Sequence, residues 1–204
     1  MRERILDTAL RLFRTFGIKS ITMQDIARDC GISKKTVYEH FADKQELVEE
    51  VTRFMISAHG NNLEVCCANG KDAIDELVSS LRFTETFARG INPVLLHELE
   101  KYHPAAWKTI ADFKSNYVIK AISDNLDRGI REGLYRSDIS IHIMSHMRLM
   151  QLDSAFSPVD YPATEFDLHE VMCQVTEHYI RGIATPEGTR RLEEYLTIKE
   201  LSPQ

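Results

Sequence analysis

The chain predicts an all-α protein, and three observations carry that reading. Apolar residues recur at spacings of three and four over most of its 204 positions, no stretch sustains the alternation of a strand, and glycine, proline and asparagine interrupt the pattern where helices would end. No internal repeat is present. The 43% hydrophobic content is enough for substantial cores. No apolar run approaches the ~18–20 residues of a membrane span.

The elements follow in order. A first helix buries Ile5, Ala9, Leu12, Phe13 and Phe16, and Gly17 closes it. Residues 22–44 read as two short helices around a turn, with Ala27, Gly31 and Val37 spaced four and then six apart. That spacing suits a helix-turn-helix: a small residue where the helices cross, a glycine for the left-handed turn and a branched residue sealing the underside. Asp43 caps a fourth helix whose stripe is Leu47, Val48, Val51, Phe54 and Met55, and which is expected to end near Gly60. After Asn69-Gly70, a helix is expected over 72–89, ending at Gly90. Asn92-Pro93 starts another that His103-Pro104 breaks, and a long one is expected over 105–132, stopped by Gly133. Ser137 or Asp138 would open the next, running to about Phe156. Thr164 with Asp167 reads as a capping box for a helix to about Gly182, and Thr185-Pro186 begins a short last one.

The helix-turn-helix is the functional signal. Ser33 can cap its second helix, placing Lys34, Lys35, Thr36, Tyr38 and His40 near the exposed N-terminal end, the end that enters a major groove. The run Thr22, Ile26-Ala27, Gly31-Ile32-Ser33, Thr36-Val37-Tyr38, His40-Phe41, Lys44 and Leu47, with Phe13 and Phe16-Gly17 before it, resembles the N-terminal domain of the tetracycline-repressor (TetR) family of bacterial regulators. Glu132-Gly133-Leu134-Tyr135-Arg136 is also common in that family. The close resemblance covers roughly the first 55 residues. It implies an N-terminal three-helix helix-turn-helix domain over residues 1–58, with the motif at about 21–40, and a C-terminal helical ligand-binding and dimerisation domain over 59–204.

Roles follow at this level. Lys34, Lys35 and Thr36 are the expected base readers, and Thr22 would cap the motif's first helix and touch a phosphate. The resemblance implies backbone contacts from Tyr38 and His40, and Lys44, at the start of the fourth helix, is placed to meet a phosphate. Glu39 stands where the family often has an aromatic or polar residue, and its role is open between accepting from cytosine N4 and repelling phosphate. Net charge is −6, yet residues 1–50 hold nine Lys/Arg and nine Asp/Glu, so the acidity belongs to the remainder. Lys34, Lys35 and Lys44 leave the reading face locally positive.

Two later helices argue for a homodimer. Leu168, Val171, Met172, Val175, Tyr179 and Ile183 form a seam with spacings of three and four. The helix before it, with Ile139, Ile141, Ile143, Met144, Met147, Leu149, Met150 and Leu152, is apolar on more than one side. A two-fold dimer would read a palindromic operator in double-stranded DNA. The resemblance further implies an effector pocket, for which Phe83, Phe87, Trp107, Phe113, Tyr117, Met144 and Met147 are candidates suited to a small apolar or amphipathic ligand. The effector itself is not named by the sequence. The expected function is therefore a sequence-specific repressor released by a small molecule; the alternative is an effector-free architectural or division-control protein using the same head.

Other chemistry is weak. No nucleophile elbow, phosphate-cradling glycine loop or paired-carboxylate motif is present, so no catalytic residue and no cofactor is expected, and the chain does not read as an enzyme. His142 and His146 lie one helical turn apart, a spacing that can chelate metal, but without an HExxH signature no metal site is assigned. Cys30, Cys66, Cys67 and Cys173 include no CxxC pair and suit a reducing compartment, with a redox-sensing Cys66 or Cys67 as the sharper alternative. The start, charged at Arg2, Glu3, Arg4 and Asp7, lacks the apolar stretch of a signal peptide, so a cytoplasmic protein with no membrane partner is expected.

Overall fold

The computed structural model describes residues 1–88, 93–157, 159–162 and 164–200, with side chains at all of these except 82–88, 93 and 198–200. Among the described residues the chain is helix after helix with no strand, and one isolated bridge joins Tyr135 to Ala184. The helices are α1 (Arg2–Phe16), α2 (Met23–Asp29), α3 (Lys34–His40), α4 (Lys44–Asn69), α5 (Ala73–Ala88), α6 (Pro93–Tyr102), α7 (Pro104–Phe113), α8 (Ile119–Arg131), α9 (Ile141–Ala155), α10 (Leu168–Ile183) and α11 (Pro186–Glu200). A π-helical turn, Lys114–Val118, lies between α7 and α8. The sequence suggested one boundary near residue 58. The chain instead gathers into two compact units, Met1–Gly60 with Gly90–Phe113, and Asn61–Arg89 with Lys114–Gln204.

In the first unit the core is the periodic apolar set: Ile5, Leu6, Ala9, Leu12 and Phe13 of α1 bury with Ile26 and Ala27 of α2, Val37 of α3, and Leu47 and Val48 of α4. Gly17 ends α1 at φ 79° and Gly31 makes the helix-turn-helix turn at φ 64°, both in the region that only glycine adopts without strain. Phe16, expected inside, is 57% exposed. It is the last residue of α1, where the chain turns away and nothing beyond it continues the apolar stripe.

In the second unit the core joins Ile74, Leu77 and Val78 of α5 to Ile122 and Leu126 of α8, Tyr179, Ile180 and Ile183 of α10, and Leu192 and Tyr195 of α11. The Glu132–Arg136 phrase stitches these helices together. Gly133 (φ 71°) turns the chain after α8, Glu132 accepts from Ala73 N at 2.8 Å, and Leu134 O accepts from Thr185 N at 2.9 Å. Tyr135 is buried with its hydroxyl donating to Ala73 O at 3.1 Å, and its ring lies against Gly129, where a Cβ would come within 2.0 Å of it.

Several expected boundaries move. α4 does not stop near Gly60: it continues to Asn69, with Gly60 buried inside it, because one glycine weakens a helix without ending it. The helix expected over 105–132 is interrupted by the π turn. α9 starts at Ile141, capped by Ser140, since residues 134–136 are tied to 183–185 by Arg136 N to Ile183 O at 2.8 Å and by Thr185 N to Leu134 O. α10 is capped by Asp167 itself, which accepts from Glu170 N at 2.9 Å, so the box from Thr164 does not form. α11 runs 15 residues and is not short. Asn92 and Gly90, expected as helix cap and helix stop, lie outside the described residues.

Candidate nucleic-acid interface

The helix-turn-helix is built from short-range bonds. Thr22 forms a complete capping box with Asp25: its hydroxyl accepts from Asp25 N at 3.2 Å and donates to Asp25 Oδ2 at 2.6 Å, while Thr22 N donates to the same carboxylate at 3.0 Å. Those hydrogen bonds hold the Asp25 carboxyl below its usual range. Ser33 accepts from Thr36 N at 3.0 Å, and the two hydroxyls lie 2.9 Å apart. The cap leaves the start of α3 presented to solvent with Ser33, Lys34, Lys35 and Tyr38 exposed and Thr36 and His40 half-buried.

Charges on this face are loosely held. Lys35 reaches Glu39 at 4.0 Å, and Lys34 Nζ lies over the Tyr38 ring, 5.6 Å from its centroid. Glu39 thus lies beside Lys35, one turn along α3, and competes with phosphate for it. An exposed pair of this length is worth well under ~1 kcal/mol and yields readily to a phosphate oxyanion.

Lys44 is placed differently from the other expected phosphate ligands. Its Nζ donates to Ile18 O at 2.6 Å, half-buried, and burial pulls its pKa down against the opposing charges of Glu98 and Asp25. The ammonium therefore holds the loop after α1. Glu98 of α6 meets the same loop. Its Oε2 accepts from Ile18 N at 2.5 Å and Lys19 N at 3.0 Å, an approach that the missing side chain at Gly17 leaves open. Leu95 and Leu99 of α6 line one apolar crevice with Phe13, Val48 and Met55. Sequence reasoning missed Glu98, although its place between Leu95 and Leu99 on an inward helical face was a usable signal.

The expected effector residues fall in both units. Trp107 and Phe113 belong to the first unit, where Phe113 meets His59 edge-on at 5.9 Å; Tyr117, Met144 and Met147 belong to the second. Tyr117 donates to Glu64 at 2.9 Å, Met144 packs against the second core, and Met147 is 45% exposed. The side chains of Phe83 and Phe87 lie outside the described residues.

The expected dimer seam on α10 is corrected as well. Val171, Met172 and Tyr179 are buried in the protomer's own core, and Leu168 and Val175 are half-buried against Leu81 and Ala155. Helical spacing identifies an apolar stripe but not what covers it. The uncovered stripe is on α9, where Ile143, Met147 and Met150 follow at one helical face with 55%, 45% and 71% exposure.

Cys67 is exposed, but neither it nor Cys66 has the lowered pKa that a redox-sensing thiol needs. Cys67 donates to Glu76 at 3.2 Å, and burial with that carboxylate pushes its pKa up to about 12; burial and Glu76 raise Cys66 as well. Among the described residues no group of three His, Cys, Asp or Glu is placed to hold a metal, and no helix is long and apolar enough to cross a membrane.

Comparison with known proteins extends the reading beyond geometry. Residues 5–51 match the family model of bacterial regulatory proteins, tetR family. Over 191 residues, 92% of this chain and 97% of the other, it is 27% identical to an uncharacterized HTH-type transcriptional regulator, YvaF, of Bacillus subtilis (strain 168). Over 200 residues, 92% of this chain and 93% of the other, it is 26% identical to the HTH-type transcriptional repressor KstR2 of Rhodococcus jostii (strain RHA1). A solved structure of a putative transcriptional regulator from Saccharomonospora viridis in complex with choline superposes with a TM-score of 0.76, at 18% identity, covering 90% of this chain and 97% of that one.

Proposed function

We propose that this chain, whose residues 5–51 match the family model of bacterial regulatory proteins, tetR family, is a member of that family and a cytoplasmic transcriptional repressor that holds a palindromic operator as a homodimer and leaves it when a small molecule binds its second unit. The observation that carries this reading is the exposed, end-capped face of α3, with Lys34, Lys35 and Tyr38 free of the protomer's core. Two supports stand beside it: the KstR2 relative is a repressor, and the Saccharomonospora regulator was solved with a small molecule bound.

The uncovered stripe Ile143, Met147 and Met150 is the surface for a second copy, because a row of large apolar side chains in water is stabilised by self-pairing across a two-fold axis. Two heads related in that way read two half-sites. Release needs a ligand that prefers a state in which the heads no longer fit both, and the coupling equals that preference.

Selection of DNA from a random pool by the purified full-length protein tests the reading. The expected product is an inverted repeat with half-sites one or more helical turns apart, roughly 34 Å per turn. Recovery of unrelated sequences without a repeat overturns it.

A further inference from the structure

The second unit contains a buried cation without an anion to match it. Arg148 of α9 is the lone Lys, Arg, Asp or Glu between residues 139 and 152, and it points inward with 5% exposure. Its Nη2 donates to Thr176 Oγ1 of α10 at 2.7 Å, and the guanidinium lies over the Tyr179 ring, 5.0 Å from its centroid. Arg148 Nη1 is buried with no hydrogen-bond partner, and so is the Tyr179 hydroxyl. Among the described residues no carboxylate pairs with this guanidinium; the groups that favour its charge are the Tyr179 and Tyr135 phenols.

Such an arrangement is costly, and the same unit shows how a structural arginine is treated. Arg128 is paired at every face: with Glu132 at 2.7 Å, Glu76 at 3.2 Å and Gly70 O at 2.9 Å. Arg148 has one neutral hydroxyl and one ring for five N–H donors. Burial pulls its pKa down to about 10, so it stays cationic at neutral pH, while Tyr179 is pushed up to about 12 and keeps its proton. The core thus holds a positive fork met at Nη2 by one neutral hydroxyl and open at Nη1, beside an unmet neutral donor, and a planar fork of this kind matches the two oxygens of an oxyanion. Met144 and Leu152, one helical turn to either side of Arg148 on α9, are partly buried and pack with Leu149 against the core that contains Tyr135 and Ile180, so apolar groups flank the guanidinium's helix beside the buried hydroxyls of Ser145 and Thr176.

We infer that Arg148 and Tyr179 anchor the oxyanion head, carboxylate or phosphate monoester, of an effector whose remaining body is apolar. This rests on the effector-released reading above and narrows its ligand class. A cationic ligand is disfavoured at this position by the guanidinium's own charge.

The test uses straight-chain carboxylates and alkyl phosphates of six to twelve carbons, each beside its neutral amide or alcohol of equal length. Thermal stabilisation of the full-length protein and release of its selected operator are measured for the unaltered protein, Arg148→Met and Tyr179→Phe. Expected is stabilisation and release by the acids at tenfold or more lower concentration than by their neutral counterparts. Arg148→Met, which keeps volume and loses charge, should still bind operator but erase that preference, and Tyr179→Phe should reduce it several-fold. Carboxylates outperforming phosphates, or the reverse, assigns the head group. Neutral compounds as potent as the acids, an acid preference that survives both variants, or no stabilisation by any acid overturns the anchor. The first two of those outcomes leave the effector-released repressor standing. Loss of operator binding in Arg148→Met shifts the decision to Tyr179→Phe, where an unchanged acid preference overturns the proposal.

Discussion

Two helix pairs in this chain, α2 with α3 and α9 with α10, differ in what sets their polar groups. In α2 and α3 the capping bonds span at most three residues: Thr22 to Asp25, Ser33 to Thr36. In α9 and α10 the polar groups that matter, Arg148, Thr176 and Tyr179, meet across 28 residues or more and remain incompletely paired. The head is a device of local rules. The second unit holds chemistry that only packing creates.

The first way to break this comparison is to strain a glycine in each region. Gly129→Ala should cost about 3 kcal/mol or more by overpacking, because its Cβ would collide with a Tyr135 ring that hydrogen bonds to Ala73 and Asn125 hold in place. Gly31→Ala in the head should cost roughly 1–2 kcal/mol, the left-handed backbone penalty alone, since the nearest atom to its Cβ is an arginine tip at 4.0 Å. Denaturant melts of the two variants give both numbers. A larger loss at Gly31 would mean that the head depends on long-range packing after all.

A weaker effect should follow from charging α9. Met147→Asp with Met150→Asp alters exposed positions, so the protomer's melting should change little while its self-association weakens on the order of 100-fold, about 2.7 kcal/mol. Sedimentation across a concentration series reads this directly, and an unchanged dimer would move the interface elsewhere. The α10 seam expected from sequence would not serve for this test, since Val171, Met172 and Tyr179 are inside the protomer and a charge there unfolds it.

That contrast explains what was legible. The helix-turn-helix, its caps at Thr22 and Ser33 and its turn at Gly31 follow from residues within a few positions of one another, and the structure has them as expected. The start of α9 at Ile141 depends instead on bonds from far along the chain, those that tie residues 134–136 to 183–185. The effector candidates are hard to read for another reason: an aromatic on a helix looks identical in sequence whether it lines a cavity or fills a core. Arg148 carried a signal that periodicity alone discards, a lone charge inside an apolar run.

Glu98 joins the two kinds of organisation within the first unit, and its replacement should have an intermediate effect. Glu98→Gln keeps one acceptor for Ile18 N or Lys19 N but loses the charge that strengthens both bonds, for a cost of about 1 kcal/mol. Faster amide hydrogen exchange at Ile18 and Lys19, with α2 and α3 unaffected, is the expected reading. Equal exchange would mean that α6 is held by Leu95 and Leu99 alone.

The smallest effect separates two lysines that the sequence treats alike. Lys35 is exposed at the start of α3, paired only with Glu39 at 4.0 Å, so Lys35→Ala should reduce the salt slope of operator binding by about 0.9, one phosphate's share, or alter the preferred bases if it reads an edge. Lys44 is bound to Ile18 O at 2.6 Å, and an ammonium that stays on that carbonyl neutralises no phosphate and so displaces none of the DNA's counterions. Lys44→Ala should therefore leave the slope within error and weaken binding a few-fold at every salt concentration, by loosening the loop that Glu98 also holds. A slope that drops by about 0.9 in both variants would show that Lys44 leaves Ile18 on binding and reaches a phosphate. Its hold on the loop would then be a resting position that DNA replaces, and the local organisation of the head would be completed by its ligand.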